Sequence, residues 1–107
     1  MPAVVFVSTL EPKIGRRDEL VQLLAEFAEH IRAERGCLEY SVYRPLGDDN
    51  GPFLVIQMYA SVEAYREHSS WVRRQIPRLS ELVATPPVPP ALFEPLLLGG
   101  NPARESP

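Results

Sequence analysis

The segment FLVIQMY (residues 53–59) is apolar on both of its faces, and this property strongly limits the folds open to the chain. Its β-branched and aromatic residues favour a strand, in which successive side chains point to opposite sides of a sheet. Phe53 and Val55 then lie on one side, and Ile56 lies on the other. Both sides of the sheet that contains this strand must therefore be covered from water.

The rest of the chain predicts two helices and three further strands. Over residues 16–35, apolar side chains recur at steps of three and four, which places them on one helix face. A second helix begins after Ser61, a residue type that caps helices well, and is expected to break near Ser69 or at Pro77. Pro95 restricts the last strand to a sheet edge or a bulge. The predicted strands are 3–10, 37–45, 53–59 and 91–98.

The resulting order, βαββαβ, is that of a ferredoxin-like α+β fold with an antiparallel sheet. Two helices cover only one side of such a sheet. We expect a second copy of the chain to cover the other side, because two-fold homodimers are the commonest oligomers. The alternative is a monomer whose C-terminal segment folds across the open face.

Length, charge and cysteine content exclude several classes of protein. The 107 residues fit one domain, predicted over 1–98, with a disordered tail over 99–107. A net charge of −3 disfavours a phosphate-binding surface, so no nucleic-acid partner is expected. No apolar run is long enough to cross a bilayer and the N-terminus lacks a basic start, which predicts a cytoplasmic protein with no membrane partner. Cys37 is the only cysteine, and no zinc-ligand spacing occurs, so no metal is expected.

Aromatic side chains are concentrated in the stretch VIQMYASVEAYREHSSWVRR, which holds the only Trp and two of the four Tyr. Helical geometry places Tyr65 on the buried face of the second helix, with His68 half-buried at its border and Trp71 just beyond. If the side of the third strand that carries Gln57 and Tyr59 meets this helix, these five side chains surround one cavity.

Such a cavity suits proton transfer with a flat aromatic molecule. An imidazole titrates near neutral pH, so His68 can accept a phenolic proton, while tyrosine hydroxyls and the Gln57 amide orient the oxygens of the substrate. The structural alternative is that these side chains only fill the core, which is the commoner role of a histidine at the edge of a helix face. His30, between acidic residues of the first helix, is expected to be solvated surface.

The stretch GCLEYSVYRPLGDDNGPFLVIQMYASVEAYREHSSW resembles the central part of the antibiotic biosynthesis monooxygenase (ABM) family, and the opening VVFVSTLEPKIGRRDELVQLLAEFAEHIRAERG is also similar. The resemblance covers roughly residues 3–97. It implies a dimeric α/β barrel, in agreement with the two-sided sheet. It also implies a cofactor-independent oxygenase, in which a bound phenol, quinol or anthrone is deprotonated and its anion reduces dioxygen without a metal or flavin.

The resemblance implies site residues as well. Family members border the substrate with the aromatic residue that ends the third strand and a tyrosine on the next helix, which correspond to Tyr59 and Tyr65. His68 matches a frequent family histidine. Tyr59 stands in place of the usual Trp, Gln57 in place of a frequent Glu, and Val55 in place of an Asn of some members. We therefore predict His68, Tyr65 and Tyr59 as catalytic residues and Val55, Gln57 and Trp71 as substrate-binding residues.

The predicted function is a cofactor-independent monooxygenase that acts with dioxygen on a quinol, phenol or polycyclic aromatic substrate. One alternative is an isomerase that moves a proton on a small oxygenated substrate, which would use His68 but no oxygen. Another is a dimeric ligand-binding domain without catalysis. Val55 and Gln57 favour this last alternative, because they leave few convergent polar groups.

Overall fold

Two helices pack on one side of a three-stranded antiparallel sheet in the computed structural model, which describes residues 3–97. This arrangement confirms the predicted α+β class and the ferredoxin-like order of the elements through the second helix. The elements, in chain order, are β1 (Val4–Leu10), α1 (Arg17–Arg32), β2 (Cys37–Tyr43), β3 (Phe53–Tyr59) and α2 (Val62–Ser80).

The central strand is β3, which pairs with β1 on one side and with β2 on the other. Gln57 lies opposite both Phe6 of β1 and Tyr40 of β2. A bulge between Cys37 and Glu39 shifts the register of β2 beside the end of β3. Because β3 has a neighbour at each edge, only its two faces remain to be covered.

The helix-facing side of the sheet forms the main core with α1. Phe53 and Val55 of β3 are buried there, which identifies the face of this strand that meets the helices. Leu20, Leu24 and Phe27 cover that face from α1, as the steps of three and four predict. Each such side chain contributes about 1.5–3 kcal/mol when fully buried, so this cluster is the main source of stability.

α1 ends at Arg32, about one turn before the predicted end. The Ala33 amide donates to the His30 carbonyl at 3.2 Å, which tightens the last turn. Gly36 then adopts a φ of +86°, a conformation that favours glycine, and the chain turns into β2. A Cβ atom on Gly36 would lie 2.7 Å from the Ala64 Cβ, so glycine also allows the close approach of α2.

α2 runs unbroken over Val62–Ser80, so the predicted break near Ser69 or at Pro77 is wrong. Pro77 removes one backbone donor and frees the carbonyl four residues earlier, at Arg73. Both residues are exposed, and solvent can satisfy that carbonyl. The predicted start is confirmed, because the Ser61 hydroxyl accepts the Ala64 amide at 3.1 Å.

The predicted fourth strand is reduced to one antiparallel bridge. Val5 and Phe93 exchange two backbone hydrogen bonds of 2.8 Å each, and the pairing does not extend within the described residues. Toward the C-terminus, the next bonded position of an antiparallel ladder falls two residues away, at Pro95, which has no amide to donate. Residue 98 and the predicted tail, 99–107, lie outside the described residues.

The second face of the sheet is also apolar, and the helices do not cover it. Val7 is 45% exposed and Tyr43 is 49% exposed, while Leu54, Ile56 and Met58 are partly exposed beside them. Over residues 91–97, the C-terminal segment pairs with this sheet through a single described bridge, at the β1 edge. Among residues 3–97, neither helix combines the length and the apolar character that crossing a bilayer requires.

Candidate functional site

Three elements bring polar side chains together where β3 ends. Tyr59 is the last residue of β3, Glu34 lies in the loop after α1, and His68 lies in the first half of α2. The strand alternation that buries Val55 also turns Gln57 and Tyr59 toward the helices. The close packing of Gly36 on Ala64 draws the loop that holds Glu34 against α2.

The Glu34 carboxylate links the other two side chains. The Tyr59 hydroxyl donates to Glu34 Oε1 at 2.6 Å, and His68 Nδ1 lies 3.0 Å from the same oxygen. A carboxylate only accepts hydrogen bonds, so we assign the proton of the neutral imidazole to Nδ1. Nε2 of His68 then carries a lone pair and is available as a base. The Gln57 amide oxygen lies 3.5 Å from the Tyr59 hydroxyl, a weaker contact.

Burial controls the protonation of this group. His68 is only 3% exposed, and loss of solvation lowers its pKa, although the Glu34 carboxylate acts in the opposite direction. The imidazole is therefore neutral at pH 7. Burial first, and then the hydrogen bond to Glu34, raise the pKa of Tyr59, so its hydroxyl remains a donor. Glu34 is 14% exposed and meets both donors at the edge of the core.

Aromatic rings surround the histidine on its sheet side. The Tyr59 and His68 ring centroids are 4.8 Å apart, and Phe6 of β1 stacks on Tyr59 at 6.1 Å. Tyr65 meets Phe6 edge to face at 5.2 Å. These contacts fix the orientation of the imidazole ring and exclude water from its sheet side.

A cleft of about 260 Å³ opens on the other side of His68, between the C-terminal end of α1 and the first half of α2. Trp71 forms part of its wall. The Trp71 and His30 rings stack with centroids 3.9 Å apart and planes within 10°, and Phe27 meets Trp71 edge to face at 5.2 Å. Glu34 and His68 also line the cleft, so the histidine lies between the packed aromatic rings and an opening to solvent.

The structure brings most of the predicted site residues together. They do not surround one cavity, as predicted, but form a packed group with a cleft beside it. Tyr59, Gln57 and His68 form one packed group, and Tyr65 joins it through Phe6. Only His68 and Trp71 among the predicted residues line the cleft.

One predicted position and one predicted burial state also differ in the structure. Val55 lies in the apolar core with α1 rather than beside the histidine. His68 is more buried than predicted, because its ring points to Tyr59 and Glu34 rather than along the helix border.

Two residues of the site were not predicted from the sequence. Glu34 lies just past the last turn of α1, where the helix dipole disfavours a carboxylate. A residue type that is unfavourable at its position can indicate a functional role, and this was the feature of the sequence that pointed to Glu34. His30, predicted as solvated surface, is 46% exposed but stacks on Trp71 and lies 3.6 Å from Glu34. Its spacing of four residues from Glu34 on a helix was the corresponding signal.

The arrangement offers no cluster of metal ligands within residues 3–97, where three or more His, Cys, Asp or Glu side chains would have to converge. Cys37 lies beside the site as a free thiol, and burial raises its pKa, so it is not an activated nucleophile. The chemistry that the site supports is acceptance of a proton by His68, with Glu34 holding the ring.

Comparison with known proteins identifies the relatives of this fold. The family model described as antibiotic biosynthesis monooxygenase matches residues 3–71, which is more than half of the chain. No match was found among curated proteins. Among solved structures, Rv0793 from Mycobacterium tuberculosis is 25% identical with a TM-score of 0.70, over 94% of this chain and 98% of that one.

Two further solved structures share the fold at lower identity. A protein of Shewanella oneidensis, SO0527, is 20% identical with a TM-score of 0.76, over 88% of this chain and 91% of that one. SnoaB, a cofactor-independent oxygenase from Streptomyces nogalater, is 16% identical in a mutant form, also with a TM-score of 0.76, over 92% of this chain and 97% of that one.

Proposed function

The chain belongs to the antibiotic biosynthesis monooxygenase family, and we propose that it is a cofactor-independent monooxygenase of a phenol, quinol or polycyclic aromatic substrate. The observation that carries the proposal is the pairing of a buried, neutral imidazole with a carboxylate at the edge of a cleft, His68 Nδ1 to Glu34 Oε1 at 3.0 Å. This pairing leaves Nε2 free to accept a proton. SnoaB supports the proposal as a cofactor-independent oxygenase with the same fold.

The proposed reaction balances without an added reductant. His68 Nε2 takes the hydroxyl proton of the substrate, and the resulting phenolate is electron-rich enough to reduce dioxygen. A C–O bond forms at the ring carbon para to the hydroxyl, which carries a hydrogen. The O–O bond then breaks as that carbon loses its proton, and the products are a quinone and water. The substrate supplies all four electrons, and the proton held by His68 leaves in the water.

Each site residue has a distinct role in this proposal. His68 is the catalytic base, and Trp71 is a wall of the cleft that holds the aromatic ring of the substrate. Glu34 is a positioning residue that fixes the tautomer of His68 and stabilises the imidazolium that forms. Tyr59 acts through Glu34, because its hydroxyl donates to the same carboxylate oxygen. Of the remaining predicted residues, Gln57 and Tyr65 support the packed side of the site, whereas Val55 belongs to the apolar core.

We also propose that two copies pair through the uncovered face of the sheet. Val7, Tyr43 and Leu54 on that face are at least 38% exposed, and a second sheet would bury them. Sedimentation equilibrium measures the mass directly, and a monomer at micromolar concentration would contradict this part of the proposal. The cytoplasmic location predicted from the sequence stays a prediction, which fractionation of the source cells would test.

The test of the oxygenase is oxygen uptake by protein treated with a chelator, with a reduced naphthoquinone or a naphthol as substrate. We expect one molecule of dioxygen consumed for each quinone formed from the naphthol, and loss of this activity in His68→Ala. Glu29→Gln, an exposed change on α1, is the matched control. Substrate conversion under argon would favour the isomerase instead. Binding without conversion of any substrate would favour the non-catalytic domain.

A further inference from the structure

The cleft beside His68 has a regular construction. Ala64, His68, Trp71 and Arg74 follow one another at steps of three or four on α2, so they form one stripe along the helix. The C-terminal end of α1 and the following loop supply the opposite wall, which includes Arg35. A ligand in this cleft therefore meets an aromatic wall, the imidazole and two guanidinium groups.

The aromatic wall is held in place before any ligand binds. Phe27 meets one side of Trp71 edge to face, and His30 stacks on its ring. Phe27 and His30 belong to α1, and Trp71 belongs to α2. Their contacts therefore also hold the two helices together. A wall that is already ordered binds a flat ligand with little further loss of side-chain freedom.

The side chains of the two arginines of the cleft have neither an acidic nor a hydrogen-bonded partner, a property that they share with Arg44, Arg66 and Arg73 among residues 3–97. Arg16 and Arg78 form salt bridges with Glu19 and Glu26. Arg35 and Arg74 take part in none of the salt bridges and side-chain hydrogen bonds found among residues 3–97.

Two acidic residues line the same cleft, and they differ in how readily they can pair with the two arginines. The Glu34 carboxylate at the base of the cleft already accepts from Tyr59 and His68. Glu67, an exposed residue of the same cleft, is the acidic side chain that remains to oppose the two arginines. The cleft thus presents two cations and two carboxylates, of which Glu34 is held at the base by its hydrogen bonds and Glu67 is the exposed acid that competes with a ligand for the arginines.

The volume of the cleft limits the size of the ligand that it can bind. The volume of about 260 Å³ lies just below the range of about 300–1,000 Å³ that is usual for small-molecule sites. A ligand of one or two fused rings fits such a space, whereas a tetracyclic ligand would extend far into solvent. Bidentate recognition by guanidinium groups favours a carboxylate as the charged group of the ligand.

We infer that this cleft binds a planar aromatic carboxylate of one or two rings, with the ring against the stacked Trp71 and His30 side chains and the carboxylate held by Arg35 and Arg74. The inference rests on the proposed function for its substrate role and narrows the substrate to a hydroxylated aromatic acid. The binding itself is independent of turnover, because it needs only the wall and the two arginines.

The binding test uses the single tryptophan as its probe. Trp71 is the only Trp in the chain, so the indole N–H gives one cross-peak in a proton–nitrogen correlation spectrum. Three ligands with the same ring system are titrated: 2-naphthoate, 2-naphthylmethanol and 2-naphthylmethylammonium. We expect 2-naphthoate to move the Trp71 peak at the lowest concentration, the alcohol to follow, and the ammonium compound to bind most weakly.

Charge variants test the arginines separately from the fold. Arg35→Gln and Arg74→Gln should each weaken 2-naphthoate about two- to fivefold, because an exposed ion pair is seldom worth more. Glu67→Gln should tighten it by a similar factor. Arg73→Gln is the matched control, since this exposed neighbour of Arg74 does not line the cleft. All four changes are at exposed residues and should leave the fold intact.

Several results would overturn the inference. One is that the alcohol or the ammonium compound binds as tightly as 2-naphthoate or more tightly. A second is that both arginine variants keep the parent affinity for 2-naphthoate. A third is that the Trp71 peak does not move at millimolar ligand. Failure of the oxygenase is seen separately, as absence of oxygen uptake with 1-hydroxy-2-naphthoate while 2-naphthoate still binds. Rapid oxygen uptake with an uncharged naphthol and no binding of 2-naphthoate would retain the oxygenase and reject the aromatic acid.

Discussion

The face of β3 that meets the helices is apolar at one end and polar at the other. At one end, Val55 packs against Leu20 and the other apolar side chains of the core. Two residues further along, Gln57 begins a polar end, where Tyr59, His68 and Glu34 contact one another. The apolar end needs only shape and volume, whereas the polar end needs every hydrogen-bond partner in place.

This difference shows where the chain gives up stability for a specific arrangement. Burying a histidine and a tyrosine is unfavourable unless both are hydrogen-bonded. The Glu34 carboxylate supplies that bond to each, and among residues 3–97 every fully buried polar side-chain atom has a partner. An apolar group of similar volume would satisfy the packing alone. The polar end is therefore best explained by its chemistry.

The largest effect expected from the polar end is on catalysis. His68→Gln removes the base and should lower kcat for oxygen uptake by about 10²–10⁴-fold, which is the usual contribution of general base catalysis. The glutamine amide can still donate to Glu34, so the free energy of unfolding should change by less than that of a core truncation. Steady-state oxygen uptake and urea unfolding measure the two quantities. A variant with full kcat would remove His68 from the mechanism.

The apolar end should respond in the opposite way. Leu20 is fully buried, and Leu20→Ala should lower the free energy of unfolding by about 2–5 kcal/mol through lost burial and the cavity that remains. Its kcat per folded molecule should remain that of the parent chain, because Leu20 does not line the cleft. Urea unfolding and active-site titration measure these quantities. A large loss of kcat in the folded fraction would show that the two ends are coupled.

Glu34→Gln should have an intermediate effect that isolates the positioning role. The amide can accept only at its oxygen and so holds His68 less firmly. We expect kcat to fall about 10–100-fold, the factor typical when the partner that orients a metal-bound histidine is lost. The carboxylate raises the pKa of His68, so the acid limb of the pH–rate profile should move to lower pH in the variant. Glu29→Gln is the control, and an unmoved acid limb in Glu34→Gln would contradict this role.

Local sequence patterns predicted most of the fold because the responsible forces act over a few residues. Alternation identified the β3 face shared by Val55, Gln57 and Tyr59, and the cap at Ser61 identified the start of α2. The same patterns did not predict that α2 continues through Pro77. Exposure of that turn to water decides its cost, and exposure depends on the whole fold.

The site was harder to predict because its contacts join distant parts of the chain. Glu34 lies 25 residues from Tyr59 and 34 residues from His68 along the sequence. No helical or strand period connects such positions. The predicted cavity placed Tyr59, His68 and Trp71 around one space, whereas the carboxylate draws the first two together and leaves the cleft on the side of Trp71.

The smallest predicted effect is a pH dependence of stability that originates at the polar end. Burial lowers the pKa of His68 below its ordinary value of 6.5, so the unfolded chain binds a proton that the native chain does not. The free energy of unfolding should therefore decrease as the pH falls below about 6.5, until the native pKa is reached, by at most about 1.4 kcal/mol for each pH unit.

Urea unfolding at pH 7.5, 6.5 and 5.5 measures this slope, and His68→Gln is the control that removes it. The groups that face the imidazole are Glu34 and, across the carboxylate, His30, so His30→Gln separates the contribution of the second histidine. Stability that rises as the pH falls from 7.5 to 5.5, with a smaller rise in His68→Gln, would mean that Glu34 outweighs burial and that the base is protonated in the resting protein.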